Sequence, residues 1–195
     1  MSALLIQTDF VEFNKPCNDS LPADAALIEA ARRDPEALSQ LYRQHYARIF
    51  RYVLRRVGNR TMAEDLVGDV FVSMVRYLPR YQISAIPFHT WLYRLATNRV
   101  NRWARWQRRR AFRELRETAC PRTDQEQREM ADHVRTALLT LPLPFQTTVA
   151  LHYLEDMSLV EICQVLNCSI GTVKSRLARG RDMLRAQLKE SDGDR

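Results

Sequence analysis

The sequence predicts an all-α protein in which two helical domains are joined by a flexible linker. Three observations predict this fold class. Only 5 glycines occur among 195 residues, which is too few for a turn-rich β-sandwich or barrel. The 8 prolines are clustered, so long stretches of chain contain no helix breaker. Apolar residues recur along these stretches at steps of three and four, the period of an amphipathic helix.

The changes in composition along the chain divide it into five segments. We expect residues 1–23 to form a mobile tail, because apolar residues sustain no period there. Residues 24–113 form the first domain, and residues 114–130 form a polar linker that contains Pro121. At about 3.3 to 3.6 Å per residue, such a linker separates two domains by almost 50 Å. The second domain covers residues 131–190, and residues 191–195 form a tail.

The first domain opens with a short helix from about Asp24 to Arg33 and continues with a long amphipathic helix. Asp34 occupies the N-cap position of the long helix, and Pro35 occupies the first helical position, where its missing N–H costs nothing. We expect this helix to end near Gly58. Its apolar face consists of Leu38, Leu41, Tyr42, Ile49, Phe50, Val53 and Leu54.

The next helix is predicted from a capping-box spacing, Thr61 followed by Glu64, and it ends at Leu78 before Pro79. Acidic residues lie toward the side opposite its apolar stripe. They form either a separate contact surface or an ordinary solvated face. The stripe consists of Leu66, Val70, Phe71, Met74 and Leu78, and the acidic residues are Glu64, Asp65 and Asp69.

A third long helix follows a loop over residues 79–88. It begins at Phe88 and extends for up to roughly 25 residues, because no glycine or proline occurs between Pro87 and Pro121. Its second half and the residues after it, 99–116, hold eight arginines, one acidic residue and two tryptophans, Trp103 and Trp106. Arginines at three-residue steps can reach successive phosphates, and tryptophan can stack on an unpaired base. The structural alternative is that the tryptophans pack in the core and the arginines are solvated.

The second domain has the pattern of a helix-turn-helix. One helix runs from near Met130 to Pro142, another opens at Pro144, and Ser158 with Glu161 repeats the capping-box spacing. The chain breaks at Asn167 and Cys168, and Ser169 caps a final helix from Ile170 to about Leu188. One arc of that helix is apolar, at Ile170, Val173, Leu177 and Leu184, whereas the other side carries Thr172, Ser175, Arg176 and Arg179, with Lys174 at its margin.

The positive charge of the chain is concentrated in the first domain. The whole sequence has 30 basic and 23 acidic residues, whereas residues 24–113 alone have 18 basic and 7 acidic side chains. This excess indicates a polyanionic partner such as nucleic acid. The alternative is a basic surface that only maintains solubility.

Other classes of protein are disfavoured by the composition. No stretch reaches the ~18 to 20 apolar residues of a membrane span, and residues 1–13 lack the basic and apolar regions of a secretory signal, so we expect a cytoplasmic protein. No cofactor or metal is predicted, and no catalytic residue, because the four histidines are scattered and no nucleophile or phosphate-loop spacing occurs. The cysteines, Cys17, Cys120, Cys163 and Cys168, are too dispersed for a zinc ribbon, and apolar packing is the simpler role for the last two.

From about Asp24 to Leu188 the order of these motifs resembles the extracytoplasmic-function (ECF) sigma factors of bacterial RNA polymerase, which consist of regions 2 and 4. The run Ala63-Glu64-Asp65-Leu66-Val67, with Val70 and Phe71, is similar to region 2.2, which binds the clamp helices of the largest polymerase subunit. Gly68 and Asp69 stand where Gln and Glu are more common in the family. The resemblance implies these residues for core-polymerase binding: Glu64, Asp65, Leu66, Asp69, Val70 and Phe71.

The run from Phe88 to Asn98 resembles regions 2.3 and 2.4, which melt the −10 promoter element. Residues 80–87 match the loop that helps to trap a flipped base in the family, although they lack its common glycine and acidic residue. Flipping a base costs a few kcal/mol, which pocket contacts and stacking offset. The residues assigned to −10 DNA are Arg94, Asn98, Arg99, Arg102, Trp103, Arg105, Trp106 and Arg109.

Residues 171–177 resemble the recognition helix of region 4.2, which reads the −35 element. LuxR-type regulators have a similar helix-turn-helix, so the position of this motif after a region 2-like domain favours the sigma factor. The residues assigned to −35 DNA are Thr172, Lys174, Ser175, Arg176 and Arg179.

The resemblance implies three partners: core RNA polymerase, promoter DNA, and an anti-sigma factor that masks these surfaces until a signal arrives. It implies no enzymatic activity and no membrane insertion. Two other functions stay open on the sequence alone. One is a helix-turn-helix regulator that acts without polymerase, and the other is a single-stranded RNA-binding protein that uses the arginine- and tryptophan-containing helix.

Overall fold

The computed structural model describes residues 24–84, 86–114 and 131–192, and its regular elements in these ranges are all helical. This confirms the predicted all-α class with two helical domains joined by a linker. The first domain contains α1 (Ala25–Ala31), α2 (Pro35–Val57), α3 (Arg60–Tyr77), a 3₁₀ turn (Leu78–Arg80) and α4 (Phe88–Glu114). The second contains α5 (Ala131–Thr140), α6 (Leu143–Val149), a π-helical turn (Ala150–Leu154), α7 (Leu159–Leu166) and α8 (Ile170–Asp192).

The two ends of α2 are set by the residues predicted to set them. The carboxylate of Asp34 accepts a hydrogen bond from the backbone N–H of Glu36 at 3.0 Å, and Pro35 is the first helical residue. At the other end Gly58 adopts φ 81°, a left-handed conformation, and its N–H donates to the carbonyl of Leu54 at 2.8 Å. Glycine reaches this conformation without a steric penalty, so the helix ends there.

The predicted capping box of α3 is wrong. Asn59 is the N-cap, and its side-chain oxygen accepts from the N–H of Met62 at 2.9 Å. Asparagine caps a helix as well as threonine does. Because Gly58 ends α2, Asn59 is the first residue that can cap α3. Glu64 pairs with Arg60 at 2.9 Å instead of closing a box with Thr61.

The core of the first domain forms where α2, α3 and α4 meet. The apolar stripe predicted for α3 is buried, from Leu66 to Leu78. Aromatic side chains fill the space between the 3₁₀ turn and α4: the ring of Tyr81 lies 5.2 Å from Phe88 and 4.9 Å from Trp91, centroid to centroid. These tilted and edge-on contacts are the favourable geometries for aromatic pairs. They fix the start of α4 and therefore the direction of the whole helix.

The helix-turn-helix of the second domain is built as predicted. Ser158 and Glu161 form a complete capping box at the start of α7, and Asn167 ends α7 in the left-handed conformation with φ 48°. The hydroxyl of Ser169 accepts from the N–H of Thr172 at 3.2 Å and caps α8. The helix that opens near Pro144 differs from the prediction, because its last turn, Ala150–Leu154, is π-helical.

The apolar arc of α8 is buried at Val173 and Leu177, whereas Ile170 on the same arc is exposed. Ile170 is 47% exposed, because it is the first residue of α8 and lies at the margin of the face that packs on the rest of the domain.

The two domains lie against each other: α7 packs on α4, and the π-helical turn approaches α2. Linker residues 115–130, with Cys120, and residues 1–23, with Cys17, lie outside the described residues. In the described part of the chain, no helix combines the length and apolar character needed to cross a membrane.

Two helical glycines predict opposite effects of the same substitution. A Cβ added at Gly180 would lie 2.7 Å from Cγ2 of Val149, where α8 crosses α6, so Gly180→Ala is expected to destabilise the fold by about 1 to 3 kcal/mol. A Cβ added at Gly68 meets no atom within 4 Å, so Gly68→Ala is expected to stabilise by about 0.5 to 1 kcal/mol. Urea unfolding followed by circular dichroism measures both. Equal effects of the two substitutions would contradict the close approach at Gly180.

Candidate nucleic-acid and protein interfaces

The outer face of α3 is acidic and open to solvent. Glu64, Asp65 and Asp69 are all exposed. Two of them have partners within the domain, because Glu64 pairs with Arg60 and Asp69 lies 3.4 Å from a guanidinium nitrogen of Arg99. Asp65 has no ion pair to another described residue. The face therefore presents negative charge on a protein whose net charge is +7.

The apolar residues assigned to the same interface lie beneath this face. Leu66, Val70 and Phe71 are buried in the core, so in this structure they support the acidic face and do not form it. Val72 and Val75 are instead exposed, at 69% and 48%. Sequence reasoning missed these two valines, although apolar residues outside the stripe of an amphipathic helix were the signal. The exposed surface of α3 thus combines carboxylates with apolar side chains.

The second half of α4 presents a line of cations. Arg102, Arg105 and Arg109 are exposed, and so is Asn98. Arg94 is buried, and Arg99 is half-buried with its guanidinium 3.1 Å from the hydroxyl of Ser73. The structure therefore groups four of the predicted residues on an accessible surface and places the other two arginines within the first domain.

The two tryptophans of α4 differ in environment. Trp103 is half-buried and packs against the hydrophobic core, whereas Trp106 is 44% exposed. The guanidinium carbon of Arg110 lies 5.5 Å from the centre of the Trp106 ring, within the range of a cation–π contact. Trp106 is therefore the tryptophan available for stacking on a base.

The segment before α4 is mostly buried against the domain. Tyr81, Ser84 and Ile86 are buried, and the hydroxyl oxygen of Ser84 accepts from the N–H of Ile86 at 3.3 Å. Burial raises the pKa of Tyr81 to about 12, so its phenol stays protonated. Ala85 lies outside the described residues.

The polar face of α8 borders an open groove of about 540 Å³. Lys174, Ser175 and Arg179 are exposed, and Thr172 and Arg176 are half-buried. The groove is lined by Phe145, Ser169, Thr172, Ser175, Arg176 and Arg179. Hydroxyl and guanidinium groups at the start of a recognition helix are the groups that reach base edges and phosphates in a major groove.

The cysteines beside this face have a packing role. Cys163 and Cys168 are free thiols, half-buried against the core, and the N–H of Cys168 donates to the carbonyl of Cys163 at 3.1 Å. Burial raises the pKa of the Cys163 thiol, which keeps it uncharged. Among the described residues, no group of three or more His, Cys, Asp and Glu side chains is placed to hold a metal ion.

Two family models match the chain, one for each helical domain. Residues 41–110 match Sigma-70 region 2, and residues 132–184 match Sigma-70, region 4. The matched segments contain the acidic face of α3, the arginines of α4 and the helix-turn-helix.

Relatives and a solved structure share the architecture over most of the chain. The ECF RNA polymerase sigma factor SigE of Mycolicibacterium smegmatis is 34% identical over 190 residues, which are 93% of this chain and 72% of the relative. The ECF RNA polymerase sigma factor SigW of Bacillus subtilis is 27% identical over 177 residues, 83% of this chain and 94% of the relative. The structure of CnrH in complex with the cytosolic domain of CnrY matches with a TM-score of 0.67 and 25% identity, covering 86% of this chain and 98% of CnrH.

The contrast between the tryptophans predicts which one supports the fold. Trp103→Ala is expected to lower the free energy of unfolding by about 2 to 4 kcal/mol, because it leaves a cavity at the edge of the core. Trp106→Ala is expected to change it by less than about 0.5 kcal/mol and to weaken binding of a single-stranded oligodeoxynucleotide. Urea unfolding and fluorescence anisotropy measure the two effects. A larger stability loss for Trp106→Ala would reverse the assignment.

Proposed function

The chain belongs to the ECF sigma factors, and on that premise we propose which of its surfaces bind polymerase and which read each promoter element. Sigma factors are initiation subunits that direct core RNA polymerase to promoters, and they catalyse no reaction themselves. One observation supports the proposal above others. A single chain exposes an acidic helix face, a helix lined with arginines and a cationic recognition helix, in the order that regions 2 and 4 require.

The first proposed surface binds core polymerase through α3. Glu64, Asp65 and Asp69 supply negative charge for a basic partner, and Val72 and Val75 add apolar area that a partner can bury. Leu66, Val70 and Phe71 act indirectly, because their packing in the core fixes which face of α3 points outward.

The second proposed surface opens and holds −10 DNA along α4. Asn98 contributes to a pocket for a flipped base, and Arg102, Arg105 and Arg109 contact phosphates. Trp106 supplies a stacking surface that is independent of base identity. Arg94, Arg99 and Trp103 hold α4 in place from within the first domain.

The third proposed surface reads the −35 element with α8. Arg176 and Arg179 are the groups suited to guanine edges or phosphates, and Thr172, Lys174 and Ser175 complete the polar face. Ser169 bonds to both the N–H and the hydroxyl of Thr172, at 3.2 and 3.0 Å, which restricts the position of that side chain.

We further propose regulation by an anti-sigma factor, which the family resemblance implies. CnrH, the 25% identical neighbour, binds the cytosolic domain of CnrY in its solved complex, and a protein fragment on our chain would mask the same kinds of surface. Sigma factors are in general soluble cytoplasmic proteins, and we propose the cytoplasm as the site of action of this chain.

The experiment that tests the sigma-factor function is transcription in vitro with purified core polymerase. The chain is added to core enzyme and fragmented genomic DNA, and the 5′ ends of the transcripts are sequenced. We expect new starts that share −10 and −35 elements. A folded chain that yields no new start, beside a control sigma factor that does, would refute the proposal. Footprinting of duplex DNA by the chain alone would then favour a polymerase-independent regulator, and tight RNA binding would favour an RNA-binding protein.

Reading of the −35 element predicts a loss of discrimination in Arg176→Ala. Removing a bidentate contact to a base costs about 1 to 3 kcal/mol at that base pair, so the preference for the cognate sequence falls about 5- to 150-fold. Transcription from a set of −35 variants measures this preference. Arg181→Ala is the control, since Arg181 is exposed on the same helix outside the proposed reading face. An unchanged ranking of −35 variants in Arg176→Ala would contradict the role.

The polymerase interface predicts weaker core binding when the acidic face of α3 is reversed. Glu64→Lys combined with Asp65→Lys places like charges against a basic partner, and we expect affinity to fall at least about tenfold. Both side chains are exposed, so the fold should be retained. Titration of labelled core enzyme measures the affinity, with Glu36→Lys on α2 as a control for charge reversal. An affinity equal to that of the wild type would exclude these carboxylates from the interface.

A further inference from the structure

The first domain has a polar docking surface whose occupant in this structure is the second domain. Its centre is a cradle formed by Arg48 and Arg55 of α2 and Tyr93 of α4. The side chain of Glu155, which directly follows the π-helical turn, enters this cradle and is only 5% exposed. Three elements that lie far apart in the sequence thus meet at one carboxylate.

Each member of the cradle makes a directional contact. The phenol of Tyr93 donates to Oε2 of Glu155, and Nε of Arg48 donates to the same phenol oxygen at 2.9 Å. Nη1 of Arg55 donates to Oε1 of Glu155 at 3.3 Å and to the carbonyl of Leu154 at 2.8 Å. Nη2 of Arg48 donates to the backbone carbonyl of Glu155 at 3.3 Å. The cradle therefore binds both the carboxylate of Glu155 and the backbone carbonyls at the end of the π-helical turn.

Further polar contacts extend the surface in both directions along α4. Nε2 of His89 lies 3.1 Å from Oε1 of Glu161, the carboxylate that also caps α7. On the other side of Tyr93, Nη2 of Arg56 donates to Gln146 at 3.2 Å and to Asn101 at 2.8 Å. Arg108 reaches the carbonyl of Leu141 at 3.2 Å. The contact therefore follows α4 for about five turns.

The chemistry of this surface suits a contact that opens and closes. Burial raises the pKa of Glu155, and the hydrogen bond from Tyr93 with the charges of Arg55, Arg48 and Arg51 acts in the opposite sense. A buried ion pair recovers little more than its desolvation cost. When the domains separate, water can solvate every one of these polar groups.

Promoter geometry requires the domains to separate. Elements near −10 and −35 lie about 25 base pairs apart, which is about 85 Å along the duplex. A compact chain of this length is only about 40 Å across. The closed arrangement cannot place α4 and α8 on both elements at once, whereas the chain between α4 and α5 is long enough for separation, at about 3.3 to 3.6 Å for each of its residues.

We propose that the docking of Glu155 in the Arg48–Arg55–Tyr93 cradle is a latch that holds the free chain closed and must open before both promoter elements are engaged. This inference rests on the proposed function. The latch restricts the distance between the two domains and does not cover the residues proposed to bind DNA. Asn98, Arg102, Lys174 and Ser175 all remain exposed in the closed form. The free energy of opening is then a cost that binding to polymerase and promoter must supply.

The test weakens the latch from both sides and uses a matched control for each change. Glu155→Gln removes the buried charge, and Arg48→Gln removes a donor to both Tyr93 and the Glu155 carbonyl. Asp156→Asn changes the adjacent exposed carboxylate, and Arg43→Gln changes an exposed arginine of α2 that pairs with Glu36. Small-angle scattering of the free proteins gives the radius of gyration, and circular dichroism verifies that helix content is retained.

We expect both latch variants to be more expanded than the wild type and both controls to match it. In transcription with limiting core enzyme, we expect the latch variants to form promoter complexes at about 3- to 10-fold lower sigma concentration. Folded latch variants that are as compact as the wild type would overturn the proposal, as would a wild-type chain that is already as expanded as they are. Expansion without tighter promoter binding would also overturn it. Scattering needs no polymerase, so it tests the latch contact independently of the proposed function. If the latch variants are expanded but neither the wild type nor any variant supports transcription, the result counts against the proposed function and not against the latch contact.

Discussion

The structure depends on one uninterrupted helix, α4, which runs for 27 residues from Phe88 to Glu114 without a glycine or proline. One of its faces is buried at Leu92, Ala96 and Val100 and completes the core of the first domain. A second face contacts the second domain through His89, Tyr93 and Asn101. The exposed remainder carries the arginines that face solvent. A kink would misalign all three faces at once, so the rigidity of α4 couples folding, domain docking and the placement of the exposed arginines.

Hydrogen bonds and an ion pair join the two domains at the cradle, and the buried apolar residues of both domains belong to one hydrophobic cluster. Dispersion and burial of apolar area hold the helices of a domain together over many contacts. A charged contact of the kind made by Glu155 contributes little net stability, but it is specific, because removal of one partner leaves the other buried without compensation.

Most helix limits and the core stripes could be predicted from the sequence because their causes are local. Asp34, Pro35, Gly58, Ser158 and Asn167 act on neighbouring backbone groups, and their effects follow from residue type. The start of α3 was mispredicted because two good caps, Asn59 and Thr61, lie two residues apart, and the end of α2 at Gly58 decides between them. The π-helical turn was missed because no residue pattern distinguishes it from an α-helix.

The candidate surfaces were predicted less completely than the fold. Charged positions such as Asp65, Arg105 and Arg179 are exposed as expected, since hydration of a charge is a property of the residue itself. Burial of Arg94 and exposure of Val72 depend on neighbours that the helical period does not specify. The cradle joins Tyr93 to Glu155, and no local pattern relates residues so far apart.

The proposed latch is tested most directly by the distance between the two domains. This distance is measured by fluorescence transfer between labels introduced at the exposed residues Gln40 and Ala186, in the free chain, with core enzyme and on promoter DNA. If the latch holds the free chain closed, transfer is high in the free chain and low in the promoter complex. Equal transfer in all three states would contradict it.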